Sequence, residues 1–185
     1  MKKKEPKAEF SSDDTLGSFL EDELEKNNKY FFYSPVEVVH KIHHFYLSSD
    51  FEEPHRYSKM FHILAGLTSN DTVLLHINTG GGELRTGVQL INSIRACQAN
   101  VIGVIEAECS SLGVFVFLAA NHHIVHENCI MLLHNFRGGT YGKGNEQERE
   151  IRTTIKWFSD LSKDLLIPFL SEDELKRMLQ GEDFW

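Results

Sequence analysis

The stretch Thr72-Val73-Leu74-Leu75-His76-Ile77-Asn78-Thr79-Gly80-Gly81-Gly82 decides the fold. Thr72 to Asn78 is an apolar run of the kind found in strands buried on both faces of a parallel sheet. The glycine cluster breaks it. Downstream, Leu84, Val88, Leu90, Ile91 and Ile94 recur at helical spacing up to Cys97. Val101 to Ala107 is a second apolar strand, Cys109 to Gly113 a turn of small residues, and Val114 to Ala120 a helix too apolar to face water. Ile124-Val125-His126 and Ile130 to Leu133 read as two further strands. Such alternation means crossover units packed around a sheet, an α/β protein.

Upstream, His55 to Leu67 is a helix with Tyr57, Met60, Phe61, Leu64 and Leu67 on one side. Val36, Val39, Ile42, His43 and Tyr46 also recur at helical spacing, which predicts a helix over 36–47, and a polar break from Ser48 to Pro54 follows. Tyr30 to Tyr33 reads as a short strand. Met1 to Asn28 is polar, with one amphipathic stripe of Leu16, Phe19, Leu20 and Leu24. The chain therefore divides into a polar arm, 1–28, and one domain, 29–185. Beyond His134 lies a glycine-rich segment, Gly138 to Gly144, and then a long helical run from Glu146 to Leu170 that Pro168 bends or ends. Ser171 and Glu174 are spaced as a capping box for a last helix that runs out at Gly181.

Composition bounds the function. The 185 residues are 41% hydrophobic and 25% charged, with a net charge of -8. That balance argues against binding a phosphate backbone, so no nucleic-acid partner is expected. No apolar run is long enough to span a membrane, and no apolar core follows Met1-Lys2-Lys3-Lys4 as in a secretory leader. Three cysteines, Cys97, Cys109 and Cys129, form no CxxC pair and read as reduced thiols of a cytoplasmic protein. Ten histidines raise the question of metal, but His40, His43, His44, His122, His123 and His126 show no zincin spacing, so no metal and no cofactor are expected.

The glycine clusters and the Ser110-Ser111-Leu112-Gly113 turn fall at the carboxyl ends of successive strands, where open α/β sheets gather ligands. Gly80-Gly81-Gly82 lacks the dinucleotide and P-loop patterns. It offers instead a backbone that approaches a substrate closely and presents free N–H groups, as an oxyanion hole requires. A serine opening a helix is ordinarily an N-cap. Here Ser111 also has a candidate base, His134, at the end of an apolar strand, and a candidate orienting carboxylate, Asp183.

Taken in order, Ile77-Asn78-Thr79-Gly80-Gly81-Gly82, Ala107-Glu108-Cys109-Ser110-Ser111-Leu112-Gly113 and Met131-Leu132-Leu133-His134-Asn135-Phe136-Arg137-Gly138-Gly139 resemble the ClpP family, the Clp proteolytic subunit. Gly181-Glu182-Asp183-Phe184-Trp185 resembles its last motif, in the form seen in phage and prophage relatives. The resemblance runs from Tyr30 to the end. It implies the ClpP/crotonase-like superfold of β-β-α units with a long protruding helix. It also implies a serine endopeptidase with Ser111 as nucleophile, His134 as base and Asp183 as orienting carboxylate. Gly82 and Leu112 supply the oxyanion N–H groups, and Gly138, Gly139, Thr140 and Tyr141 form the strand that binds an extended peptide. Polypeptide substrates, stacked homo-oligomeric rings and an AAA+ unfoldase partner are the implied partners, with no membrane.

The chain departs from the family in four places. The family usually has Pro where this chain has Gly80. Residues 36–54 read as an insertion or an altered first helix. The interval from Ser111 to His134 is slightly short, a deficit that a tighter turn near Asn121-His122 absorbs. Relatives continue past Trp185 through another helix and strand, so either the sequence is cut short there or the packing around Asp183 differs. Two other readings stay open: a crotonase-like acyl-CoA enzyme using the same N–H pair, and an inactive structural subunit. Capsid (prohead) maturation is a narrower form of the peptidase reading.

Overall fold

The computed structural model describes residues 39–167 and 169–185. The arm, its apolar stripe, the Tyr30–Tyr33 strand and Pro168 lie outside the described residues.

Among the described residues the strands are β1 (Lys41–Leu47), β2 (Asp71–Thr79), β3 (Asn100–Ser110), β4 (His122–Val125) and β5 (Ile130–Leu132). The helices are α1 (Ser58–Gly66), α2 (Leu84–Ala96), α3 (Leu112–Leu118), α4 (Gly144–Leu166) and α5 (Glu172–Leu179). The five strands form one sheet in the order β1-β2-β3-β4, with β5 also on β3, and every pairing is parallel. The expected α/β class and the crossover architecture are what the chain adopts.

β2 is the spine. Its alternate residues Val73, Leu75 and Ile77 are fully buried, and Val101 and Ile105 of β3 line up beside them. α2 lays Leu90, Ile91 and Ile94 over this surface, and α3 buries Val114, Phe115 and Val116 next to it. A helix as apolar as α3 is stable only where other elements cover it all round. β3 is long enough to hold β4 along Ile102–Ile105 and then β5 along Glu108–Ser110.

Three expectations are corrected here. Residues 41–47 form a strand in register with β2, from Lys41 opposite Asp71 to Leu47 opposite Ile77, at the edge of the sheet among the described residues. The helical spacing of Ile42, His43 and Tyr46 loses to pairing with a strongly apolar neighbour, because sheet context overrides a weak local pattern. Cys109 and Ser110 belong to β3, because β5 continues the ladder to Ser110. The long helix ends at Leu166 and not at Leu170. The capping box of α5 forms as read: Ser171 Oγ accepts from the Glu174 N–H at 3.3 Å, and the Glu174 carboxylate accepts from the Ser171 N–H at 2.9 Å. No helix among the described residues is long and apolar enough to cross a membrane.

Candidate active site

Ser111 is the hinge between β3 and α3, and its backbone is strained. Its φ of 54° and ψ of -124° put a non-glycine residue where L side chains are disfavoured, at a cost of about 1–3 kcal/mol. Two hydrogen bonds hold it there. The Ser111 N–H donates to the Leu132 carbonyl at 2.7 Å, and the Ser111 carbonyl accepts from the Val114 N–H at 3.1 Å. Its hydroxyl does not cap α3, so the ordinary role of a serine at this position is absent. The Leu112 N–H, first in the helix, has no acceptor among the described residues. The neighbouring Ser110 is turned inward and donates to Glu108 Oε1 at 2.8 Å.

The glycine turn lies directly against this hinge. A Cβ on Gly81 would fall 2.7 Å from Ser111 Cβ and 3.2 Å from the Leu112 nitrogen, and Gly81 has a φ of +104°. Only glycine satisfies both constraints. Phe51 pairs with the turn as a short parallel bridge: its N–H donates to Gly81 O at 2.6 Å, and its carbonyl accepts from the Glu83 N–H at 2.8 Å. In a parallel ladder a residue bonds to the two neighbours of the residue opposite it. Gly82, opposite Phe51, therefore turns its N–H to the other edge, where it finds no acceptor among the described residues.

β5 brings in the base, because Ser110 is opposite Leu132 and the chain then runs on through Leu133 to His134. Leu133 forms an antiparallel bridge with Phe184. Three backbone stretches thus lie side by side, ending in Ser111, His134 and Asp183. The hydrogen bonds of a triad are not made in this structure. His134 Nδ1 lies 2.5 Å from the Asn135 carbonyl, and neither the Ser111 hydroxyl nor the Asp183 carboxylate has a hydrogen-bond partner among the described residues. The segment that carries Asp183 is tied to α5. Arg177 Nε donates to Glu182 Oε2 at 2.6 Å, and its guanidinium stands 5.2 Å from the Phe184 ring centre.

The segment expected to bind the peptide has no strand partner among the described residues. Residues 138–141 carry no β-ladder in this structure, since Gly138 and Gly139 offer no side chain to pack and no strand of the described residues lies alongside. The segment borders a cleft of about 560 Å³ that Gly82, Leu84, Phe136, Ile151 and Trp157 also line.

Several residues that shape the site escaped the sequence reading. Thr79 Oγ1 accepts from the Gly81 N–H at 3.1 Å, and Asp50 Oδ1 accepts from the Gly80 N–H at 3.0 Å. Glu83 caps α2 by accepting from the Thr86 N–H at 2.7 Å. Asn135 Nδ2 donates to the Leu179 carbonyl at 2.8 Å. Only Glu83 carried a signal, an acidic residue just before a helical run. Cys109, next to this site, is fully buried, and burial pushes its thiol up to about 12, helped by Cys129 and Glu108. It stays neutral and is no rival nucleophile. Among the described residues no cluster of three or more His, Cys, Asp or Glu side chains is arranged to hold a metal ion.

Comparison with known proteins bears on the fold and the family. A solved structure of a ClpP1 point mutant from Listeria monocytogenes superposes with a TM-score of 0.62 at 18% identity, covering 77% of this chain and 81% of that one. At that identity the likeness speaks for the fold alone. No curated protein matches the chain. The Clp protease family model, however, matches residues 32–170, a span that takes in the glycine turn, Ser111 and His134. A match over most of the sequence settles the family: the chain belongs to the Clp protease family.

Proposed function

We propose that this chain is a serine endopeptidase that cleaves extended polypeptides inside a ring-shaped oligomer. The observation that carries this reading is Ser111: a strained serine that caps nothing, beside two N–H groups that have no acceptor among the described residues. In the reaction, Ser111 Oγ attacks the scissile carbonyl as its proton passes to His134 Nε2. The resulting oxyanion takes the N–H groups of Gly82 and Leu112, a pair in which each donor is worth roughly 10²–10³ in rate. His134 then gives the proton to the leaving amine, and Asp183 holds the imidazole in the required tautomer. Water enters, His134 takes its proton, and the acyl-enzyme is hydrolysed to regenerate Ser111. The peptide lies along residues 138–141 by strand addition, which supplies main-chain bonds and little sequence choice.

Assembly is part of the reading. Clp proteolytic subunits generally form stacked rings, and α4 leaves Ile151, Ile155 and Trp157 exposed at 38%, 52% and 41%. Exposed apolar side chains of this kind suit a neighbouring subunit. An AAA+ unfoldase that feeds such a ring belongs to the same proposal.

One observation favours a second reading, a non-catalytic ring subunit: the His134 Nδ1 contact with the Asn135 carbonyl. A fluorophosphonate probe separates the two, with oligomeric state measured by mass photometry in the same sample. Labelling of the assembled protein that disappears in Ser111→Ala is the expected result. An assembled ring that takes no label is the inactive subunit.

A further inference from the structure

The N–H groups of the turn are not equivalent. Gly80 donates to Asp50, Gly81 to Thr79 Oγ1 and Glu83 to the Phe51 carbonyl, which leaves Gly82 alone without an acceptor among the described residues. A turn of three consecutive glycines has more conformational freedom than any other tripeptide. Something has to hold it if the one remaining N–H is to keep its aim. The segment just after β1 does so. Phe51 is 4% exposed and fixes the middle of the clamp, and Thr86 Oγ1 donates to the Glu52 carbonyl at 2.5 Å on its far side. Asp50 closes the near side.

We propose that Asp50 is a positioning residue for the reaction: by accepting the Gly80 N–H, it holds the glycine turn with the Gly82 N–H directed at the substrate carbonyl. This rests on the peptidase reading above. Asp50 does by hydrogen bonding what a ring-locked residue does covalently. Where position 80 is proline the backbone has no N–H to donate and a fixed φ, so no acceptor is needed. With Gly80 both the freedom and the donor return, and a charge-assisted bond to a carboxylate takes up both. The two solutions crowd one another: a Cβ on Gly80 would lie 2.9 Å from Asp50 Oδ1, so the carboxylate would have to swing aside.

The test is steady-state cleavage of a fluorogenic peptide by the full, assembled chain, with assembly checked by mass photometry. Asp50→Ala is expected to lower kcat about tenfold, less than outright loss of an oxyanion donor, with KM within about twofold. Asp50→Asn, which keeps an oxygen acceptor, is expected to restore most of kcat. Gly80→Pro is expected to slow the wild type but to raise kcat in the Asp50→Ala background, a reversal of sign between the two backgrounds. An active enzyme indifferent to Asp50→Ala, equal losses in Asp50→Ala and Asp50→Asn, or no reversal for Gly80→Pro would each overturn the role of Asp50 and leave the peptidase standing. Wild-type protein that neither cleaves nor takes the fluorophosphonate label overturns the peptidase reading itself, and the positioning role with it.

Discussion

Leu133 and Phe184 exchange both backbone hydrogen bonds, each N–H donating to the other's carbonyl at 2.9 Å. In an antiparallel pair the residues next to such a couple form a non-hydrogen-bonded pair, whose Cα atoms approach to about 4.5 Å with side chains on one face. His134 and Asp183 stand at the positions next to this bridge. A carboxylate that orients the base should be felt in turnover, so Asp183→Ala is expected to cut kcat by about 10³–10⁴ while KM stays within a few-fold. Phe184→Pro removes the donor of one bridge bond and leaves the carboxylate in place. It should also depress kcat, and full activity in that variant would show that the bridge does not position Asp183.

The strain at Ser111 predicts a trade between stability and chemistry. Glycine accepts a φ of 54° without the penalty a side chain incurs. Ser111→Gly is therefore expected to stabilise the fold by about 1 kcal/mol while abolishing turnover, and Ser111→Ala to abolish turnover with no such gain. Urea denaturation of both variants checks this. Equal midpoints would mean that the hinge is relaxed.

Gly87 in α2 is the place where the helix touches the β3–α3 hinge. A Cβ there would lie 2.1 Å from Leu112 Cδ2 and 2.3 Å from Leu112 Cγ. Gly87→Ala should cost about 1–3 kcal/mol by overpacking and lower kcat to the extent that the Leu112 backbone shifts to make room. Pairing it with Leu112→Ala frees the space and should recover part of the stability. Additive losses in the double variant would contradict direct contact.

Asp71 opens β2 and accepts both the Thr68 N–H and the Thr68 hydroxyl at 2.8 Å. These bonds, backbone first, hold its carboxyl below the ordinary value of 3.8, with His43 adding to the effect. A lowered folded-state value means a contribution to stability that is fully present above the unfolded value and lost as pH falls through the folded one. Wild-type stability should thus drop more steeply below about pH 4 than that of Asp71→Asn. Parallel acid-denaturation profiles for the two proteins would refute this.

The core of the fold was legible because β2, β3, α2 and α3 are apolar enough for period and length to agree. β1 was not. Ile42 and Tyr46 remain 57% and 67% exposed although they sit on a parallel strand, and only Leu47 is buried, so the alternation that marks a half-buried strand is faint. Cys109 and Ser110 looked like a turn because small residues end strands as often as they pack within them. Their place in the ladder depends on β5, some twenty residues away in sequence. Ser111, His134 and Asp183 were legible only as a motif. What brings their backbones together is long-range pairing, Ser110 with Leu132 and Leu133 with Phe184. Asp50 carried no local signal at all, since its role is defined by an N–H of Gly80.

β3 holds β4 and β5 in succession along one edge, and each has its own register. Between α3 and β4 the chain turns at Asn121, whose N–H donates to the Val101 carbonyl at 2.8 Å and whose Oδ1 accepts from the Val101 N–H at 2.8 Å. Alignment of the Ser111 end of β3 is set afresh when β5 docks, so a change of loop length before β4 need not propagate to it. The His126–Asn128 bend is therefore a natural port for grafting an epitope or a fluorophore that leaves the register of β5 undisturbed.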